Sequence, residues 1–159
     1  PRLERLERLH DLVRGGGPAG GATLGGCRIL ARRGRLLICR EPALAREAQP
    51  LRPGHSSLWD GRFLVTLVAD TPASGKTPSR PVTVRRLGAE GWAAVAAATP
   101  TLRRHAIPPA ARPALPALWD SRGILAVPHL DWRRPGSHLY LVAACAPGAA
   151  LAGTRFTVA

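Results

Sequence analysis

Residues 101–130, TLRRHAIPPAARPALPALWDSRGILAVPHL, leave the backbone few ways to run. The stretch opens on Arg103-Arg104-His105, passes the double proline Pro108-Pro109 and the lone cation Arg112, and reaches Leu115-Pro116. Trp119-Asp120 follows, then a turn at 121–123 and an apolar run at 124–127. Each proline fixes φ, removes a backbone donor and restricts the residue before it. The stretch therefore reads as a rigid path. Its plainest use is a structural corner joining a helix to a strand, with Pro108, Pro109, Pro116, Trp119 and Asp120 as its frame. Asp60 and Asp120 both follow Trp and precede a turn, where an Asp most often accepts backbone N–H bonds from its own turn.

Around this corner the sequence alternates short strands with one or two helices. Residues 2–14 place Leu3, Leu6, Leu9, Leu12 and Val13 at helical spacing, with Glu4 and Arg8 four apart. That helix ends at Gly15-Gly16-Gly17, and its apolar stripe needs a partner. Residues 15–22 are Gly, Ala and Pro and read as a linker. Residues 23–40 predict a β-hairpin turning at Arg33-Gly34. With a three-residue loop, Cys27 and Cys39 would face each other, as two small core residues rather than a redox pair. Residues 41–57 read as a crossing loop. Strands are expected at 63–68, 82–86, 124–127, 139–144 and 156–158, and a helix at 90–98. The expectation is an α+β chain with a small mixed or antiparallel sheet and one or two packed helices, preceded by a helix and a hairpin. Its divisions would be 1–14, the end of a helical region; 15–57, linker and hairpin; and 58–159, an α+β domain.

Charge narrows the partners. Lys plus Arg number 23 against 10 Asp plus Glu, a net charge of +13. All but Lys76 of the basic residues are Arg, a choice that a GC-rich genome explains. Codon bias does not explain the shortage of acids, so the excess favours a nucleic acid over an acidic protein or a membrane surface. No apolar run approaches a membrane span, and no export signal opens the chain. The three cysteines lie in no Cys-x-x-Cys pair and have no His at metal-site spacing. They point to free thiols in a reducing cytoplasm and to no metal site.

Catalytic signals are weak. There is no Gly-x-Ser-x-Gly, and the five histidines are scattered. Gly75-Lys76-Thr77 invites a phosphate-loop reading, but position 70 is Asp where that loop needs Gly, and Pro78 follows. A hydrolase with its site at the two Trp-Asp turns stays open as an alternative, as does a stand-alone RNA-binding or assembly module.

The order of the parts carries a resemblance. Ile107-Pro108-Pro109, Arg112, Leu115-Pro116, Leu118-Trp119-Asp120, a turn and an apolar strand are similar to the C-terminal region of bacterial tRNA(Ile)-lysidine synthetase, alphaproteobacterial type. Thr23–Arg28, Leu37–Glu41, Leu58–Phe63 and Val84–Gly88 fit the same order, so the resemblance spans about residues 20–158. It implies a parent ligase that joins lysine to cytidine 34 of the isoleucine tRNA anticodon, using ATP and Mg²⁺ in a preceding catalytic domain. The family's Ser-Gly-Gly-x-Asp-Ser loop is absent here, so this portion is expected to carry no catalytic residue and no cofactor. Starting at Pro1 and lacking methionine, the chain is expected to be the C-terminal part of a longer cytoplasmic protein. Its implied role is to hold tRNA(Ile). By position, Arg85, Arg86, Arg103, Arg104 and Arg112 would contact phosphate, since a guanidinium presents a planar fork of donors. Arg112 could instead pair with Asp120 and pin the corner. The Ala-rich helix at 93–98 departs from enterobacterial-type relatives, which carry lysines there.

Overall fold

The computed structural model describes residues 3–45, 48–70 and 81–146. The triplet Gly75-Lys76-Thr77 and the strand expected at 156–158 lie outside them. The described residues form an α+β fold with two α-helices and three antiparallel sheets. No helix among them is long and apolar enough to cross a membrane.

The first helix, α1 (Leu3–Arg14), forms where the leucines recur, and it buries none of them. Leu3, Leu6 and Leu12 are exposed. A meander follows: β1 (Ala22–Leu24), β2 (Cys27–Arg32) and β3 (Arg35–Arg40). Both of its turns have two residues, and all four adopt positive φ: Gly25 and Gly26, then Arg33 and Gly34. This is the left-handed geometry that suits the twist of antiparallel strands, with glycine where a side chain would be strained. The two-residue turn at 33–34 sets Cys27 opposite Arg40 and Arg28 opposite Cys39. The two cysteines therefore sit one register step apart, on opposite faces, rather than across from each other.

The main body has three layers. The middle layer is a five-stranded sheet, ordered β10 (Trp132–Arg133), β9 (Gly123–Val127), β8 (Pro116–Asp120), β7 (Val82–Arg86) and β4 (Gln49–Leu51). On one face lies a three-stranded sheet of β11 (Leu139–Cys145), β6 (Phe63–Ala69) and β5 (Ser56–Trp59). The interface between the sheets buries Trp59, Phe63, Val65, Leu67, Val84 and Leu118, among others. On the other face, helix α2 (Gly88–Ala98) covers Leu87, Val95, Ala117, Trp119, Ile124 and Val127. Strand alternation decides the split: Leu118 faces the second sheet, while Ala117 and Trp119 face the helix. Each fully buried large apolar side chain contributes about 1.5–3 kcal/mol. Gly91 lets α2 approach the sheet, since a Cβ there would come within 2.8 Å of the Trp119 ring.

Two expectations change. Pro116, Trp119 and Asp120 are not loop residues: they belong to the central strand β8, and the corner ends at Leu115. Pro116 is the first residue of that strand, where a missing donor is tolerated. The segment 41–57, expected as a loop, holds β4 and the start of β5, so sheet pairing crosses the division expected at residue 57.

Candidate nucleic-acid interface

Arg112 sits where the double proline turns the chain, and it is 96% removed from solvent, with a relative exposure of 4%. It does not bond Asp120, which Arg134 holds instead. Its Nε donates to the Ile107 carbonyl at 2.9 Å, and its Nη2 to the Arg103 and His105 carbonyls at 3.2 and 3.0 Å. The guanidinium lies 4.4 Å from the Trp92 ring centroid on α2. The expected pairing with Asp120 is therefore corrected, and the guanidinium expected at phosphate is buried, with Nε and Nη2 given to carbonyls. The prolines remove donors from this segment, so carbonyls that would otherwise lack partners converge on one fork of N–H groups.

Asp120 has a different partner. Arg134 holds it with two hydrogen bonds of 3.1 Å, and the Arg122 backbone N–H donates to it at 2.8 Å, closing the expected turn. Burial works to raise its pKa; the bonds from Arg134 and Arg122, and their positive charge, outweigh burial and hold the carboxyl below its ordinary value. Asp60 is buried too. It ion-pairs with Arg40 of the meander at 3.1 Å and with Arg62 at 2.7 Å. Arg62 in turn donates to the Ala114 carbonyl at 3.1 Å, next to the corner. Asp60 thus links three parts of the chain through cations.

Arg85 and Arg86 leave β7 beside the start of α2. Arg85 stacks 3.7 Å from the Trp119 ring centroid and pairs with Glu90 at 3.0 Å. Arg86 donates to the Pro42 carbonyl. A groove of about 690 Å³ runs between them and Ala43, Ala45 and Ala48. Arg103 and Arg104 lie past the other end of α2, about 16 Å away along an 11-residue helix. They occupy the 3-10 turn Pro100–Arg104 and are exposed, and their side chains make no hydrogen bond or ion pair among the described residues. Arg112 holds this turn from behind through the Arg103 carbonyl. The five expected cations therefore fall into three groups: a partnered pair, an unpartnered pair and a buried structural residue.

A further group of cations escaped the sequence reading. The side chains of Arg28, Arg32, Arg33 and Arg35 on the meander make no hydrogen bond or ion pair among the described residues. The signal was present: from residue 12 to residue 40 the chain contains no acid and six arginines.

At both Trp-Asp turns the carboxylate is tied to arginine. His129 packs edge-on against Phe63, with ring centroids 5.0 Å apart, and its Nδ1 is buried without a hydrogen-bond partner among the described residues. Burial lowers its pKa from the ordinary 6.5, and the charge of Arg62 lowers it further. Burial raises the Cys39 thiol against the opposing pull of Arg28. Among the described residues no three His, Cys, Asp or Glu side chains cluster to hold a metal. Compared with protein families, with curated proteins and with solved structures, the chain matches none.

Proposed function

We propose that this chain is the tRNA-holding C-terminal portion of a tRNA(Ile)-lysidine synthetase. The observation that carries the proposal is the pair Arg103-Arg104. Two exposed, unpartnered guanidinium groups stand on a turn that the buried Arg112 locks through the carbonyls of 103, 105 and 107. A fixed platform with free charge suits an RNA backbone, because little loop ordering is left to do on binding. The ordered run from Ile107 to Val127 supports the same reading through its resemblance to that family.

In this reading the chemistry belongs to the catalytic domain that precedes this region in the family, where ATP and Mg²⁺ bind and lysine is joined to cytidine 34. The present chain supplies position. Holding the tRNA body presents the anticodon to a distant site, and orientation of that kind can contribute up to about 7–11 kcal/mol to barrier lowering. Arg85 and Arg86 serve as a secondary contact, since RNA must first compete with Glu90 and the Pro42 carbonyl for them.

The test is equilibrium binding of a tRNA(Ile) transcript across a salt series. Log affinity should fall linearly with log salt, each phosphate contact adding roughly 0.7–0.9 to the slope. Binding that ignores salt from low to moderate concentration contradicts the proposal.

A further inference from the structure

We propose that the groove between the arginine-rich meander and the double-proline corner is a second seat for an RNA phosphate backbone, held by Arg28 and Arg32, with Arg35 on the same face of the strand pair. This rests on the RNA-binding reading and extends it to a surface that the family resemblance did not assign.

Register places the cations. Arg32 lies opposite Arg35 and Arg28 opposite Cys39, so Arg28, Arg32 and Arg35 share one face of the β2–β3 pair. Arg28 and Arg32 are four residues apart on one strand, about 13 Å. The opposite wall is Pro109, Ala110 and Pro113, with Gly20 and Gly21 at the end of the groove. Cys39 Sγ lies 3.7 Å from the Ala110 carbonyl oxygen, which fixes the meander against the corner. The groove measures about 460 Å³, within the range that holds small organic ligands.

Its charge is uncompensated. Like charges directly across a strand pair are destabilising, and Arg32 faces Arg35 with no acid from residue 12 to residue 40. At the two Trp-Asp turns and at the corner the fold gives its arginines carboxylates or carbonyls. Here it gives them none among the described residues, and an anionic ligand would relieve the repulsion. The walls select the kind of anion. Pro109 and Pro113 offer no N–H, and among the described residues the only charged side chains lining the groove are the guanidinium forks of Arg28 and Arg32, which suit phosphate. A flat bilayer cannot enter a concave slot with cations on one wall, whereas a ribose–phosphate strand can lie along it.

The experiment uses the 159-residue chain and a tRNA(Ile) transcript. Arg28→Gln/Arg32→Gln should bind about tenfold more weakly at low salt, with a log–log slope shallower by about 1.4–1.8, the contribution of two phosphates. Its melting temperature should stay that of the wild type. Because Arg28 is half-buried, Arg32→Gln/Arg35→Gln serves as an exposed second pair and should show the same shallower slope. Wild-type affinity and slope in both variants, with binding weakened in Arg103→Gln/Arg104→Gln, would remove the groove and leave the RNA reading standing. No loss in any of the three would remove both. Tighter binding to phosphatidylserine vesicles than to tRNA, lost in Arg28→Gln/Arg32→Gln, would reassign the groove to a membrane and overturn the proposal.

Discussion

The two Trp-Asp turns and the two acid-free stretches use the same residue, arginine, in opposite ways. At Trp59-Asp60 and Trp119-Asp120 the guanidinium groups of Arg40, Arg62 and Arg134 close on buried carboxylates. The side chains of Arg28, Arg32, Arg33 and Arg35 on the meander, and of Arg103 and Arg104 on the turn Pro100–Arg104, have no acceptor among the described residues. The difference lies in whether the fold brings an acid or a carbonyl within reach. Net charge alone cannot distinguish the two, and the functional reading depends on the second class only.

The largest expected effect lies at the corner, on the structural side of this divide. Arg112→Ala would leave three carbonyls without their donor and remove the contact with Trp92. Loss of charged hydrogen bonds on this scale costs about 3 kcal/mol, which lowers Tm by roughly 6–12 °C in a chain of this size. Arg112→Lys should recover only part, because an ammonium cannot bridge carbonyls as a planar fork does. A thermal melt reads both variants. A melting temperature unchanged by Arg112→Ala would place Arg112 among the surface cations and erase the distinction.

The turns themselves should differ. Asp60 holds two arginines from different elements, and Asp120 holds one. Asp60→Asn should cost about 2 kcal/mol and Asp120→Asn about 1, the partly exposed arginines regaining some hydration in each case. Chemical denaturation measures both. Equal losses would mean that Asp60 does not join the meander to the sheets.

The pH dependence gives a smaller and separable signal. The His129 pKa is depressed below 6.5 in the fold, chiefly by burial and then by Arg62. Above 6.5 both folded and unfolded chains carry it neutral, and its contribution is complete. As pH falls through 6.5 the unfolded chain takes the proton first, so stability drops toward the folded pKa. Asp120 acts lower, where stability is lost as pH falls below its ordinary 3.8. His129→Gln should flatten denaturation midpoints between pH 7 and pH 5, while Asp120→Asn should leave that window unchanged.

Much of the local structure was legible in the sequence. Arg33-Gly34 between alternating residues specified the hairpin turn, and the leucine spacing specified α1. The α+β class followed from the alternation of short strands and helices. The strand β8 was obscured because Pro116 and Trp119-Asp120 carry turn chemistry, while the burial that makes them a central strand comes from strands 30 residues earlier. Arg112 was identified as important and given the wrong acceptors. Carbonyls leave no mark on a sequence, so a fork of N–H groups closing on three of them cannot be read from residue types. The partner of Asp120 was missed for a related reason: Arg134 arrives from beyond β9, and no spacing rule points to it. The acid-free run from 12 to 40 was visible throughout, but its meaning depends on which of its arginines the fold neutralises. Arg40 is neutralised, by Asp60; Arg28, Arg32, Arg33 and Arg35 have no such ion pair among the described residues.

The most direct measurement compares Arg103→Gln/Arg104→Gln with the wild-type chain in two assays, thermal melting and tRNA(Ile) binding across a salt series. Substitutions of exposed, unpartnered side chains fall within about 0.5 kcal/mol in stability, so the melts should coincide. Affinity should fall, and the log–log slope should become shallower by about 1.4–1.8 as two phosphate contacts are lost. Coincident melts together with an unchanged affinity and slope would contradict the claim that the free arginines of this turn hold RNA.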